Sequence, residues 1–221
     1  SGGIGSVTYG RLWDGNVLAV EMLTAEEEPR TLTLTGKDVD LILHTYGVVG
    51  VITKVTFALG VARNWTDHYA VFPTFADACR FGWAVASDKS IIKRLDSLQE
   101  APIPTMFEPV KTLFTDSDSV VLLILDEISV EKAAALAVEH GGELRSWPPK
   151  IPINQFPFSH SILWTKKFQP SSTWLQAEFS SDFDRFMEQV AAITARYGGN
   201  WLHHVELANV DGGTRIRPSG I

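Results

Sequence analysis

Hydrophobic and polar positions alternate along the first quarter of the chain in the manner of β-strands. Residues 17–23, VLAVEML, form an almost continuous apolar run that is typical of a buried strand. The polar stretch AEEEP follows, and RTLTLT then alternates with the period of two expected of a half-exposed strand. This pattern predicts a hairpin. A short helical segment is predicted over 37–47, and residues 48–59, rich in β-branched side chains, predict a further strand.

From residue 62 onward, strands alternate with amphipathic helices. HYAVF at 68–72 is typical of a strand, and Thr74 with Asp77 resembles the capping box that begins a helix. The apolar positions that follow have helical spacing, so Cys79 is expected in the core; they are Phe75, Ala78, Cys79, Gly82 and Val85. A second helix is predicted over 88–99, with one apolar face made of Ile91, Ile92, Leu95 and Leu98.

The same alternation continues to the end of the chain. A buried strand is predicted over 120–127, followed by a helix that Ser129 caps and Gly141-Gly142 ends. The remaining predicted elements are a strand over 173–179, a helix from Asp182 to Gly198-Gly199, and a closing strand over 201–209. Such strand–helix units favour an α+β fold of ferredoxin-like type, with helices on one face of an antiparallel sheet. The other face of the sheet is expected to carry no helices and to be available for contact with a ligand or with another part of the protein.

Composition and charge narrow the function classes. The formal net charge is -7, and the longest basic run is Lys166-Lys167, so we expect no nucleic-acid partner. One cysteine excludes an internal disulfide, and no apolar run approaches the roughly 20 residues that a membrane span needs. A cytoplasmic location is the expectation. His203 and His204 are adjacent in a predicted strand and point to opposite faces, so no metal site is expected.

Two glycine-rich segments are the first candidates for a ligand site. The chain begins SGGIGSVTYG, and Gly47 and Gly50 bracket two valines immediately before the third predicted strand. Glycine allows a backbone to lie close against a ligand, because no β-carbon holds the ligand away. The alternative for Gly47 and Gly50 is a tight turn or a bulge, which their spacing alone favours.

The order of these motifs resembles the second half of the FAD-binding domain in FAD-linked oxidases of the vanillyl-alcohol oxidase, or PCMH-type, superfamily. The segments that carry the resemblance are SGGIGSVTYG, NVLAVEML, TLTLTG and YGVVGVITKVTFAL, which together cover about the first 60 residues. The resemblance implies that residues 1–61 are the second half of that FAD-binding domain. Residues 62–221 would then be a ferredoxin-like cap domain that binds substrate and is incomplete at its C-terminus.

The resemblance also implies a cofactor and the residues that contact it. The cofactor is FAD, and the residues that would contact it are Gly2, Gly3, Ile4, Gly5, Ser6, Gly47, Gly50, Val51 and Ile52. Relatives often carry an acidic residue just before the glycine matched by Gly47, whereas this chain has His44-Thr45-Tyr46 there. The first half of the FAD-binding domain is absent, so the chain is expected to be a fragment that is inactive alone and that need not retain FAD.

The complete protein is then expected to oxidise a small hydroxy acid or alcohol by hydride transfer to flavin N5. The segment FSHSILWTKKFQPSSTWLQAEF is similar to cap segments that bring a histidine toward the flavin, which makes His160 the first candidate for the base, with His204 the second. Lys166, Arg145 and Glu206 are the candidate substrate-binding residues. The alternative function is a non-catalytic ligand-binding or dimerisation module that uses the open sheet face, and a homodimer is compatible with either function.

Overall fold

The computed structural model describes residues 12–157, 159–211 and 213–220, apart from the side chains of Trp13 and Ser159. A small antiparallel sheet comes first, made of β1 (Val17–Thr24), β2 (Thr31–Thr35) and β3 (Gly50–Phe57) in the order β2-β1-β3. A distorted helical turn, Leu12–Asn16, precedes it, and a 3-10 helix, Gly36–Leu41, follows β2. The predicted hairpin and third strand are therefore confirmed. Val20, Met22 and Val39 lie at the centre of this sheet's core.

The rest of the chain forms a seven-stranded antiparallel sheet with four helices. Its strand order is β7-β4-β6-β5-β9-β10-β8. The elements are β4 (Trp65–Phe72), α1 (Phe75–Ser87), β5 (Lys93–Gln99), β6 (Ser119–Asp126), α2 (Val130–Glu139), β7 (Glu143–Ser146), α3 (Ser159–Phe168), β8 (Ala177–Glu178), α4 (Phe183–Tyr197), β9 (His204–Val210) and β10 (Arg215–Gly220).

The first part of this sheet has the ferredoxin-like arrangement. The chain runs β4-α1-β5-β6-α2-β7, and the four strands lie in the order β7-β4-β6-β5, which is the split βαββαβ motif. Strands β9, β10 and β8 extend the sheet beyond β5. The predicted fold class, mixed helix and antiparallel sheet, is confirmed, although the sequence pattern did not predict β10. The first sheet ends at Phe57 and the second begins at Trp65, while the division into domains at residues 61 and 62 stays a prediction.

Two of the predicted helix starts have the expected capping bonds. The Thr74 hydroxyl accepts a hydrogen bond from the Asp77 backbone N–H at 3.1 Å, and the Asp182 carboxylate accepts one from Arg185 N–H at 2.9 Å. Ser129 occupies the cap position of α2 but does not bond to its own helix. Its hydroxyl accepts from the backbone N–H of Ile92 at 2.8 Å, so it joins the start of α2 to the segment that leads into β5.

The predicted helix over 88–99 is wrong, because residues 93–99 form β5. The strand pairs with β6 on one side and with β9 on the other, near the middle of the sheet. Leu95 and Leu98 therefore pack into different cores on opposite faces rather than on one helical face. The apolar spacing of residues 88–99 favoured a helix, but pairing with two flanking strands determines the structure. Those strands are distant in sequence, so the segment alone does not predict the pairing.

Two other boundaries differ from the predicted ones. Of the strand predicted over 173–179, only Ala177–Glu178 pairs, with β10 as its partner. The aromatic-rich stretch from Trp147 to Trp174, where the sequence pattern predicted no helix, contains α3. Proline recurs through this stretch at 148, 149, 152, 157 and 170, so the backbone leaves regular structure on both sides of the helix.

The two faces of the larger sheet carry separate hydrophobic cores. Helices α1, α2 and α4 pack on the first face, around Phe72, Phe81 and Phe186. The second face is covered by residues 103–114 and 147–164, whose aromatic side chains include Phe107, Trp147 and Phe156. The expectation of a free second face is therefore wrong. All eight residues of β6 are buried, as a strand between two cores must be.

Candidate functional site

A cavity of about 410 Å³ lies over the β9 end of the second face. We call it the α3 cavity, because Ser161, Ile162 and Thr165 of that helix form part of its wall. Residues 169–175 and 199–202 contribute further walls, with Ile103 and Met106 on the remaining side. His204, the first residue of β9, also lines the cavity. Its volume lies within the range of small-molecule sites, roughly 300–1,000 Å³.

Buried polar side chains surround the sheet positions nearest His204. In the register of β5 and β9, Gln99 is opposite His204 and Ser97 is opposite Glu206. Ser97 is also opposite Leu122, a residue of the second core, so these side chains share the second face. The Gln99 amide donates to the Ser97 hydroxyl at 3.0 Å.

His204 and Glu206 form a buried pair. The His204 Nε2 and Glu206 Oε1 atoms are 3.3 Å apart, and the two side chains are 3% and 5% exposed. Glu206 is opposite Ser97 on β5 and Ser219 on β10, which are both buried hydroxyl residues. A buried carboxylate needs such polar neighbours to accept hydrogen bonds from. Burying a neutral polar group without hydrogen bonds costs roughly 2–7 kcal/mol, and burying a charged group costs more. The pair therefore sits in a polar pocket of the sheet, directly below the cavity.

Two further ionisable groups lie on the opposite face of the sheet, namely Asp96 of β5 and His203, which immediately precedes β9. His203 Nδ1 is 2.7 Å from the Glu100 carboxylate, and its ring stacks on Phe75 at 5.4 Å between centroids. Asp96 is 1% exposed and, among the described residues, neither carboxylate oxygen has a hydrogen-bond partner. Burial raises the pKa of Asp96 well above its usual range, Lys93 opposes that shift, and the nearby charge of Glu206 adds to it.

The other predicted site residues lie away from the cavity. His160 is on α3 beside Ser161, but it is not among the residues that line the cavity. Lys166 is exposed on the same helix. Arg145 lies on β7, separated from β9 by three strands, and its guanidinium contacts the Glu143 carboxylate at 2.6 Å. The structure thus brings together His204 and Glu206, and it places the two cations elsewhere.

The predicted cofactor residues are described only in part. Gly2, Gly3, Ile4, Gly5 and Ser6 lie outside the described residues. Gly47 has a φ of +83°, and a Cβ there would meet no atom within 4 Å. At Gly50 a Cβ would lie 2.2 Å from the Leu23 carbonyl oxygen, so this glycine is required by the packing of β3 against β1.

Val51 and Ile52 are apolar side chains exposed to solvent, with exposed fractions of 66% and 46%. The preceding turn presents Tyr46 and Val48, which are 83% and 76% exposed. Tyr46 also has a positive φ of 54°, which is uncommon for an aromatic residue. We call residues 46–52 the β3 edge. It is a contiguous exposed apolar segment, of the kind that often marks a binding surface.

Most of the cavity-lining residues were not identified from the sequence. Ser171, Ser172 and Thr173 form a hydroxyl-rich run that directly precedes Trp174 in the sequence. Asn200 and Trp201 follow the two glycines that end α4. These residues come from separate loops, so only the tertiary fold brings them to one cavity. No cluster of histidine, cysteine, aspartate and glutamate within the described ranges could hold a metal ion, and no helix there is long and apolar enough to cross a membrane.

Comparison with solved structures shows where this fold occurs. The chain superposes on alkyldihydroxyacetonephosphate synthase in two crystal forms, with TM-scores of 0.60 and 0.57 and 13% sequence identity in each case. The match covers 96% of this chain but 45% and 46% of the synthase chains, so this chain spans less than half of their length. The chain therefore shares its fold with these synthase structures. At this identity the likeness concerns the fold alone.

Comparisons of sequence add nothing to that likeness. No protein-family model matches the chain, and no curated protein matches it.

Proposed function

We propose that this chain is part of an FAD-dependent oxidoreductase that oxidises a small hydroxy acid or alcohol. The observation that carries the proposal is the α3 cavity, which has the His204–Glu206 pair at its base and lies in a fold shared with an FAD-binding oxidase-type enzyme. A cavity with few polar groups at its base is typical of a substrate site.

The β3 edge would hold part of the cofactor. The backbone at Gly47 is open to a ligand, and the exposed apolar side chains of Val51 and Ile52 suit the ring systems of FAD. Residues 44–52 include no lysine or arginine, so this edge offers the pyrophosphate no cationic side chain. Gly50 contributes by fixing the strand rather than by touching the ligand, because its own neighbours fill the space beside it.

His204 would accept the substrate's hydroxyl proton. The Glu206 carboxylate lies 3.3 Å from Nε2 and would hold the imidazole ring in position. Glu206 would also stabilise the positive charge that develops on the ring when His204 takes the proton. FAD, when bound, supplies the hydride acceptor at N5. The chain's own residues bind the substrate and hold the base in position.

The test is substrate-dependent bleaching of flavin absorbance, without oxygen, in the full-length FAD-loaded protein that contains this chain. His204→Gln should slow bleaching by about 10²–10⁴-fold, the usual contribution of a general base. His140→Gln, a histidine at the end of α2, is the matched control and should leave the rate unchanged. If His160→Gln slows the reaction and His204→Gln does not, the base is misassigned. If no alcohol or hydroxy acid bleaches the flavin, the proposed oxidation is wrong and a non-catalytic module becomes the better reading.

A further inference from the structure

Apart from His204, the residues that the structure places in the lining of the α3 cavity have no ionisable side chains. Seven of the lining residues carry hydroxyl or amide side chains, among them Thr165, Ser172 and Asn200. Seven others are large apolar residues, including Trp174 and Trp201. No lysine, arginine, aspartate or glutamate is among the described residues that line it. Hydrogen bonding to a ligand here therefore depends on neutral groups.

An anionic ligand would lack a counter-charge in this cavity. Lys166 is exposed on α3 outside the lining, and Arg145 contacts Glu143 on β7, at the edge of the sheet and separated from β9 by three strands. The nearest buried charge is the carboxylate of Glu206, behind His204. A carboxylate moved from water to this place would lose hydration and meet a like charge, and both effects oppose binding.

A hydroxyl-rich neutral ligand matches the same surface. Its hydroxyl groups can exchange water for the serine, threonine and amide side chains, so few polar groups are left without partners. Its C–H surfaces can lie on the indole rings of Trp174 and Trp201, since such rings offer a large apolar face. Trp201 also stacks on Tyr197, with 5.7 Å between centroids, which fixes one of these faces.

We propose that the α3 cavity binds an uncharged polyol in preference to a hydroxy acid. This inference rests on the proposed function, because it selects the alcohol from the two substrate classes considered there.

The experiment compares sorbitol with gluconate, which share a hydroxylated six-carbon chain and differ in a terminal hydroxymethyl or carboxylate group. Each is titrated into the chain without FAD, and binding is measured by isothermal calorimetry and tryptophan fluorescence. Sorbitol should bind at least about tenfold more tightly than gluconate, a modest preference for one unmatched charge. Equal or tighter binding of gluconate overturns the inference, and so does the absence of binding by both compounds.

A charge introduced into the lining gives a second, directional test. Thr165→Arg places a cation in the cavity wall and should shift the preference toward gluconate by about tenfold or more. Leu163→Arg, on an exposed position of the same helix that does not line the cavity, is the matched control and should leave the preference unchanged. An equal response of both variants would overturn the assignment of the cavity.

The two proposals fail separately. Because FAD is absent from these titrations, sorbitol binding without any flavin bleaching would contradict the oxidation alone. Flavin bleaching by hydroxy acids, with gluconate preferred in the titrations, would contradict the ligand class alone.

Discussion

At the scale of single residues, Asp96 is the clearest conflict between burial and charge. Its carboxylate lies beneath α1, where a Cβ at Gly82 would be 3.0 Å from Oδ1, and neither oxygen has a hydrogen-bond partner within the described ranges. The folded protein therefore holds Asp96 with a raised pKa, chiefly because burial disfavours the charged form. The unfolded chain has the ordinary value of about 3.9.

This difference predicts how the stability depends on pH. The folded state binds the proton more tightly, so the free energy of unfolding falls as pH rises above about 4 and continues to fall up to the folded pKa. Asp96→Asn removes this charge, and we expect it to raise the free energy of unfolding at neutral pH by roughly 1–3 kcal/mol. In acid the gain should disappear, because both side chains are then neutral.

Urea unfolding at the two pH values measures this effect. Asp40→Asn, at an exposed position, is the control and should change the free energy by no more than about 0.5 kcal/mol. A loss of stability in Asp96→Asn at neutral pH would show that the buried carboxylate has a stabilising partner.

At the scale of elements, the residues at the helix N-termini make two kinds of hydrogen bond. Thr74 and Asp182 cap their own helices, whereas Ser129 bonds to a distant segment. Thr74→Ala and Asp182→Ala each remove an acceptor from a helix N-terminus and should lower the free energy of unfolding by about 1 kcal/mol. Ser129→Ala instead leaves the Ile92 N–H without its acceptor, which should cost roughly 1–3 kcal/mol. Chemical denaturation checks all three, with the exposed Thr112→Ala as control. If Ser129→Ala is as stable as that control, the hydrogen bond that links α2 to the segment before β5 does not stabilise the fold.

The same elements show what the sequence can and cannot predict. Helix α1 was predicted correctly because its cap and its apolar spacing are both local signals. Strand β5 was missed because its hydrophobic residues serve two cores and its identity depends on β6 and β9. The site follows the same rule. His204 and Glu206 were predicted as candidates by residue type, whereas the hydroxyl-rich lining depends on how separate loops and α3 come together in the fold.

At the scale of the whole molecule, the two sheets carry different candidate binding surfaces. The smaller sheet exposes the β3 edge, and the larger sheet carries the α3 cavity. A contact between Arg217 of β10 and Asp14, at 3.4 Å, joins the larger sheet to the segment that precedes β1. The chain spans less than half of the synthase whose fold it shares. A full cofactor site and a complete activity are therefore proposed for the whole protein and not for the described residues alone.

The first measurement to make is a titration of FAD into the full-length apoprotein that contains this chain, followed by flavin fluorescence. We expect saturable binding that Val51→Asp abolishes, because a charge on the β3 edge disfavours contact with the apolar rings. Leu163→Asp, an equally drastic change on exposed α3, should leave the binding intact. If folded wild-type protein does not bind FAD, or if both variants lose binding equally, the assignment of the β3 edge to the cofactor is contradicted.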